Sequence, residues 1–286
     1  MTPPLQDLLD RLHVVALPMR VRFRGITTRE VALIEGPAGW GEFGAFVEYP
    51  APEASAWLAS GIEGAYRRPP PTRRDRVPIN ATVPAVPAAE VSEVLARFPG
   101  ARTAKVKVAE PGQTLTADGP LEYLEQPCAT VDELAALRRR VNVPIAADES
   151  IRKADDPLAV VRAGAADIAV LKVAPLGGIS ALLDIAARID IPVVVSSALD
   201  SAVGIAAGLA AAAALPHLGH ACGLGTGGLF LEDVADVAEP SDGFLPVGPV
   251  TPDPARLRAL EAPRERRQWW INRVKACYPL LVPSSG

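Results

Sequence analysis

Short runs rich in valine and isoleucine recur along most of the chain. They begin near 78 (Pro-Ile-Asn-Ala-Thr-Val), 103 (Thr-Ala-Lys-Val-Lys-Val), 121 (Leu-Glu-Tyr-Leu-Glu), 143 (Val-Pro-Ile-Ala-Ala-Asp), 167 (Asp-Ile-Ala-Val-Leu-Lys), 191 (Ile-Pro-Val-Val-Val-Ser) and 218 (Leu-Gly-His-Ala-Cys-Gly). Helical patterns lie between most of them. Thr130-Val-Asp-Glu133 is a capping box that opens a helix with Leu134 and Leu137 on one face. Asp156-Pro157 pairs an N-cap with proline at the first helical position, and Ser180 begins a helix whose face includes Leu183 and Ala187. Most starts are 22 to 27 residues apart, the length of a βα unit. A row of such units makes a parallel sheet, either open and doubly wound or closed as a (β/α) barrel, and seven or eight units favour the barrel.

The first part of the chain has a different texture. Val14–Met19 and Glu30–Glu35 read as strands separated by Arg22–Thr28, a glycine-rich turn follows over Gly36–Gly44, and Ala51–Tyr66 carries a helical pattern. Residues 67–75 form a stiff, polar, proline-rich linker. The expected organisation is an α+β domain over 1–77, a barrel over 78–250, and a tail over 251–286 that joins the first domain.

One spacing breaks the period. From Lys107 to Glu125 is 18 residues, and the intervening Pro111, Gly112, Gly119 and Pro120 bracket a stretch too short for a crossover helix. Two units at the local period need about 48, so roughly 30 residues, one strand with its flanking helices, are missing from a regular barrel.

Composition narrows the function. With 29 basic and 33 acidic residues and no dense basic block, a nucleic-acid partner has little electrostatic support. The longest apolar run, Ala202–Leu215, is mostly alanine and glycine and too short to span a bilayer. Three scattered cysteines, Cys128, Cys222 and Cys277, and no signal-peptide layout point to a reducing cytoplasm. The expected partner is a small-molecule carboxylate substrate.

Candidate chemistry gathers at strand ends. Lys105 and Lys107 are two apart on a strand and share a face, so their mutual repulsion lowers the pKa of one or both. Taken alone, the pair reads more simply as two solvated lysines on an edge strand. Glu125, Asp148 and Lys172 end three consecutive runs, and in a barrel all these positions lie at the C-terminal mouth. Two carboxylates facing one mouth repel unless a cation lies between them, and hard oxygen ligands suit magnesium. Lysines beside a metal-bound carboxylate suggest proton transfer at the carbon α to it. His13, His217 and His220 have no metal-ligand spacing and read as structural. Gly223–Gly228 reads as a mouth loop that lets backbone approach a ligand, and Trp269-Trp270 as packing.

Several motifs together resemble the enolase superfamily over nearly the whole chain: Phe23–Glu30 with Gly39-Trp-Gly-Glu-Phe43, Lys105-Val-Lys107, Leu121–Cys128, Ala147-Asp-Glu-Ser150, Leu171-Lys172 and Val195-Ser-Ser197. The resemblance implies an enolase-type modified (β/α) barrel under an N-terminal α+β capping domain, here shortened by about one βα unit. It implies Lys107 as general base and then general acid, and Lys172 as the opposing lysine that stabilises an enolate. Lys105 would tune Lys107 and touch the substrate carboxylate, Ser196 and Ser197 would line the pocket, and Glu125 and Asp148 would bind Mg2+. The implied reaction is a syn dehydration of 2-succinyl-6-hydroxy-2,4-cyclohexadiene-1-carboxylate to 2-succinylbenzoate, in menaquinone biosynthesis. N-acylamino acid racemisation, muconate cycloisomerisation and a non-catalytic remnant scaffold are the alternatives, and Arg24, Thr27 and Thr28 of the cap would set the choice. The family's third metal ligand, an aspartate on the intervening strand, falls in the missing unit. Asp118 is an acid in the short stretch that remains. The expectation is weaker metal binding and impaired turnover.

Overall fold

The computed structural model describes residues 2–108, 121–154, 156–236 and 238–281. The short segment after Lys107, including Asp118, lies outside them. Three antiparallel strands open the chain: β1 (Leu12–Phe23), β2 (Ile26–Gly36) and β3 (Gly39–Phe43). β1 and β2 run straight through the segment expected to separate them. They meet at a two-residue turn, Arg24-Gly25, where both residues have positive φ (50° and 80°), as the twist of a tight hairpin requires. The glycine-rich stretch is likewise mostly strand. Its Gly41 lies so close to the following helix, Ala51–Tyr66, that a Cβ would sit 1.8 Å from the Gly61 carbonyl. Trp57, Leu58 and Ala65 of that helix pack on the sheet, and the C-terminal helix Arg264–Cys277 adds Trp270, Val274 and Cys277 to the same core.

The remaining strands are β4 (Arg76–Pro78), β5 (Ala81–Val83), β6 (Ala104–Val106), β7 (Leu124–Glu125), β8 (Ile145–Ala147), β9 (Ile168–Leu171), β10 (Val193–Val195) and β11 (Phe244–Pro246). β7, β8, β9 and β10 pair in parallel in that order. Parallel bridges Ser196↔Gly223 and Ile79↔Cys222 carry the circuit on, and β5 pairs in parallel with β6. β4 and β11 make a separate antiparallel pair. The run expected at 218 contributes those bridges rather than a full strand. The ring therefore goes round from β7 to β6. Among the described residues no backbone ladder closes β6 onto β7, and this seam falls where the spacing broke.

Alternation explains the layers. Ala147, Leu171, Val195, Ile79 and Ala81 face outward into the core shared with the helices. Ala146, Ile168, Val170 and Val194, with Tyr123 against them, form a small inner core. The Thr130 capping box has both its bonds, Glu133 N to Thr130 Oγ1 at 3.2 Å and Thr130 N to Glu133 Oε2 at 3.0 Å. At Asp156-Pro157 the side chain accepts from Leu158 N at 3.0 Å, but the helix itself begins at Ala159. The helix expected from Ser180 starts one residue earlier, at Ile179. Among the described residues no helix is long and apolar enough to cross a membrane.

Candidate active site

The inner core predicts where the polar groups point. Two residues beyond Tyr123, Ala146, Val170 and Val194 stand Glu125, Asp148, Lys172 and Ser196, so a period of two brings all four to the same end of the barrel interior. Lys105, Lys107, Asp148, Lys172, Ser196 and Ser197 line one cavity of about 60 Å3. Thr82, Glu149, Gly223 and Thr226 are among the rest of its barrel wall, and Phe23 and Arg24 of the cap hairpin roof it. Lys107, just past β6, and Lys172, just past β9, are separated by three strand positions one way round and four the other, so they face each other across the mouth. A second cavity, about 730 Å3, borders the helix Ala202–Ala214 and the 224–250 segment, and none of these site residues touches it.

Every acid here is met by a cation of the chain itself. Lys105 Nζ is 2.6 Å from Glu125 Oε2 and 2.7 Å from Oε1, an ion pair that crosses the seam. Asp148 takes Arg152 Nε on Oδ1 at 3.1 Å and Lys172 Nζ on Oδ2. Burial pushes the Asp148 carboxyl up, but Lys172 and Arg152 outweigh it and hold the group below its ordinary pKa. Gln126, at positive φ, fixes the turn behind it by accepting from Asp148 N at 3.0 Å and Ser150 N at 3.1 Å.

Lys107 is the one site lysine without a carboxylate contact among the described hydrogen bonds and ion pairs. Its ammonium lies 5.9 Å from the Phe23 ring centroid. The residue as a whole stays exposed, yet loss of water at the roofed end, followed by repulsion from Lys105 and Lys172, holds its pKa below the usual lysine value against the pull of Glu125 and Asp148. Repulsion within the lysine pair, expected from sequence, is thus present but second to desolvation.

Ser197 Oγ is 2.6 Å from Thr226 Oγ1, and Ser196 Oγ donates to the Gly223 carbonyl at 3.4 Å. A Cβ on Gly223 would lie 2.4 Å from Ser196 Oγ, so this glycine admits the serine rather than a ligand. Glu125 and Asp148 are hard oxygen donors of the kind magnesium takes. Among the described residues no third His, Cys, Asp or Glu joins them in a metal-sized group. The set suits magnesium in kind. Thr82, Thr226, Tyr49 and Arg152 were not singled out in the sequence. Only Arg152 carried a signal, four residues past Asp148 and hence on its side of a helix.

His220 bonds Glu122 at the opposite end of the barrel, and His13 packs on Trp40, both structural placements. Cys222 and Cys277 are buried free thiols and Cys128 is half-buried.

This cap-and-barrel arrangement, with lysines facing each other over strand-end carboxylates, coincides with two family matches: an enolase N-terminal domain-like region over residues 14–65 and an enolase C-terminal domain-like region over 101–253. The chain belongs to the enolase superfamily. It is 75% identical to the o-succinylbenzoate synthase of Mycobacterium tuberculosis, covering 99% of this chain and 98% of that protein, and 72% identical to the o-succinylbenzoate synthase of Mycobacterium marinum at the same coverage. The first alignment runs over 321 positions against a chain of 286, so the relative carries sequence that this chain lacks. Among solved structures, the muconate lactonizing enzyme from Pseudomonas putida matches with a TM-score of 0.69 at 19% identity, covering 88% of this chain and 98% of that one. The 2-chloromuconate cycloisomerase from Rhodococcus opacus matches with the same score and coverage at 21% identity. At those identities the likeness is one of fold.

Proposed function

We propose that this chain catalyses the o-succinylbenzoate synthase reaction, the syn dehydration of 2-succinyl-6-hydroxy-2,4-cyclohexadiene-1-carboxylate, and does so more slowly than its longer relatives. The observation that carries the reading is the opposition of Lys107 and Lys172 across one roofed cavity, in a chain 72–75% identical to synthases over nearly its full length.

Neutral Lys107 takes the proton from the ring carbon that bears the carboxylate. The electron pair left behind spreads into that carboxylate, and the cationic side chain of Lys172 lies opposite to meet the charge. The ammonium of Lys107 then returns its proton to the departing hydroxyl on the same face. One water leaves, Lys107 is neutral again, and aromatisation drives the step. Magnesium held by Glu125 and Asp148 would supply further positive charge beside the substrate carboxylate. Lys105, Ser196 and Ser197 bind and orient the substrate. The cavity of about 60 Å3 is smaller than the ~300 Å3 lower end of small-molecule pockets, so the substrate needs more room than this closed arrangement gives, and the Phe23-Arg24 hairpin is its cap-side wall.

The missing unit sets the rate. The seam between β6 and β7 coincides with the short spacing, which supports assigning the relatives' extra sequence to one strand and its helices there. With it goes a carboxylate, and two ligands in place of three hold a dication weakly.

The test is turnover of the dienyl carboxylate with and without added magnesium, beside the M. tuberculosis relative. Slow, Lys107-dependent release of water and aromatic product is expected. A rate equal to the relative's removes the impairment, and racemisation without water release removes the synthase reading.

A further inference from the structure

Three parts of the molecule meet at one phenolic oxygen. Tyr49 belongs to the fixed part of the cap, with its ring edge-on to Phe46 at 5.7 Å and tilted against Trp57 at 6.1 Å, and the residue is only 7% exposed. Its backbone is also tied down, its carbonyl accepting from Arg273 Nη2 at 2.8 Å. Onto its hydroxyl oxygen Arg24 of the hairpin donates from Nη2 at 3.4 Å, and Arg152 of the barrel donates from Nη1 at 3.3 Å. Arg152 also holds Asp148 Oδ1 at 3.1 Å, and the other oxygen of Asp148 holds Lys172. The contacts run unbroken from the roof of the pocket to one of its two opposed lysines.

We propose that Tyr49 is a positioning residue that couples the placement of the cap hairpin to the orientation of Lys172, through Arg152 and Asp148. The assignment rests on the reading of Lys172 given above. Two guanidinium groups brought to one point repel. The phenol oxygen, with a lone pair for each, is what lets them share it. Burial raises the Tyr49 pKa, but Arg152 with Arg24 and Lys153 more than offsets this, the mark of a phenol surrounded by positive charge. Lys153 Nζ lies 4.5 Å above the ring. Arg24 also holds a positive φ of 50°, a conformation arginine adopts only under constraint, and that conformation aims it back over Phe46, 4.1 Å from the ring centroid, toward Tyr49. Removing the oxygen leaves the two cations facing each other, and the hairpin is pushed away while Arg152 loses one of its fixed partners.

The experiment compares wild type, Tyr49→Phe, Arg24→Met and the double variant, by steady-state kinetics and by amide exchange in the hairpin (22–28) and in the Asp148–Arg152 segment. Phenylalanine keeps the ring and so keeps the cap core. Tyr49→Phe is expected to lower kcat about tenfold with KM within about twofold, and the double variant to be no worse than the poorer single. Tyr49→Phe is expected to speed exchange at 148–152, and Arg24→Met, by removing the opposing cation, to reverse part of that effect in the double variant. Effects that multiply in the double variant, or exchange at 148–152 that ignores both substitutions, overturn the proposal. If the wild type does not turn over the dienyl carboxylate, the synthase reading falls and the exchange comparison still decides the role of Tyr49.

Discussion

Lys105 and Glu125 join across the seam where, among the described residues, β6 and β7 share no ladder, with Nζ 2.6 Å from Oε2 and both side chains mostly out of solvent at 17% and 16% exposure. A side-chain ion pair stands at the top of the seam. At its foot Thr103 Oγ1 is 3.4 Å from Glu122 Oε2, whose other oxygen meets His220. Among the described residues, these side-chain contacts rather than backbone hydrogen bonds tie β6 to β7. Lys105→Met leaves Glu125 unpaired in a half-buried setting, and loss of one partner of such a pair costs on the order of 2 kcal/mol. Thermal unfolding is expected to shift down by roughly 4–8 °C. An unchanged Tm would show that the pair does not hold the seam.

The same substitution has a kinetic signature. Lys107 works as a base only when neutral, so activity rises with pH as the lysine loses its proton, and its lowered pKa brings that rise toward neutrality. Lys105→Met removes a like charge and frees Glu125 to attract Lys107, and both effects raise the Lys107 pKa. The rising limb of kcat/KM against pH is expected to move to higher pH. A limb that stays in place would mean that another group is the base.

Lys107→Ala and Lys172→Ala are expected to reduce kcat by a factor of about 100 to 10,000, with melting temperatures close to wild type for Lys107, which stabilises no described acid directly. Lys172→Ala also strips Asp148 of a partner and is expected to be the less stable of the two. Differential scanning calorimetry beside the kinetics separates the two effects.

Magnesium is expected to bind only at millimolar concentrations by calorimetric titration. If the relative's extra sequence belongs between Lys107 and Glu125 and carries a strand with a carboxylate, as proposed, grafting it there is expected to tighten binding and raise kcat at least about tenfold. A graft that folds, closes the seam and leaves metal affinity unchanged would place the third ligand elsewhere.

A second buried cluster is expected to make stability depend on pH. Glu42 of β3 accepts from Ser201 N at 2.9 Å, Arg29 donates to the Leu199 carbonyl at 3.0 Å, and Asp200 lies beside both. Burial, then repulsion by Asp200, pushes Glu42 up to about 8. Its folded pKa exceeds its unfolded one, so between about pH 4.5 and 8 the folded state holds a proton that the unfolded state has lost, and stability falls as pH rises through that window. Glu42→Gln is expected to flatten the decline in Tm from pH 5 to 8, and an unaltered slope would assign it to other groups.

The order of βα units, the cap helix over Ala51–Tyr66, the capping box at Thr130 and the strand-end placement of Lys172, Asp148 and Glu125 were all legible in the sequence. They follow from periodicity and from backbone hydrogen-bonding needs, which act over a few residues. The short spacing after Lys107 was equally visible, because counting needs no coordinates. The partners were not. Sequence pointed to a metal between two carboxylates but not to Lys105, Lys172 and Arg152 as partners, which the fold sets against those carboxylates, because ion pairs form between side chains that only barrel closure brings together. Tyr49, Thr82 and Thr226 carried no local signal for the same reason: each owes its place to packing between segments far apart in the chain. The Arg24-Gly25 turn was missed because arginine is a poor mark of positive φ, and only the docking of the hairpin against Phe46 and Tyr49 holds it there.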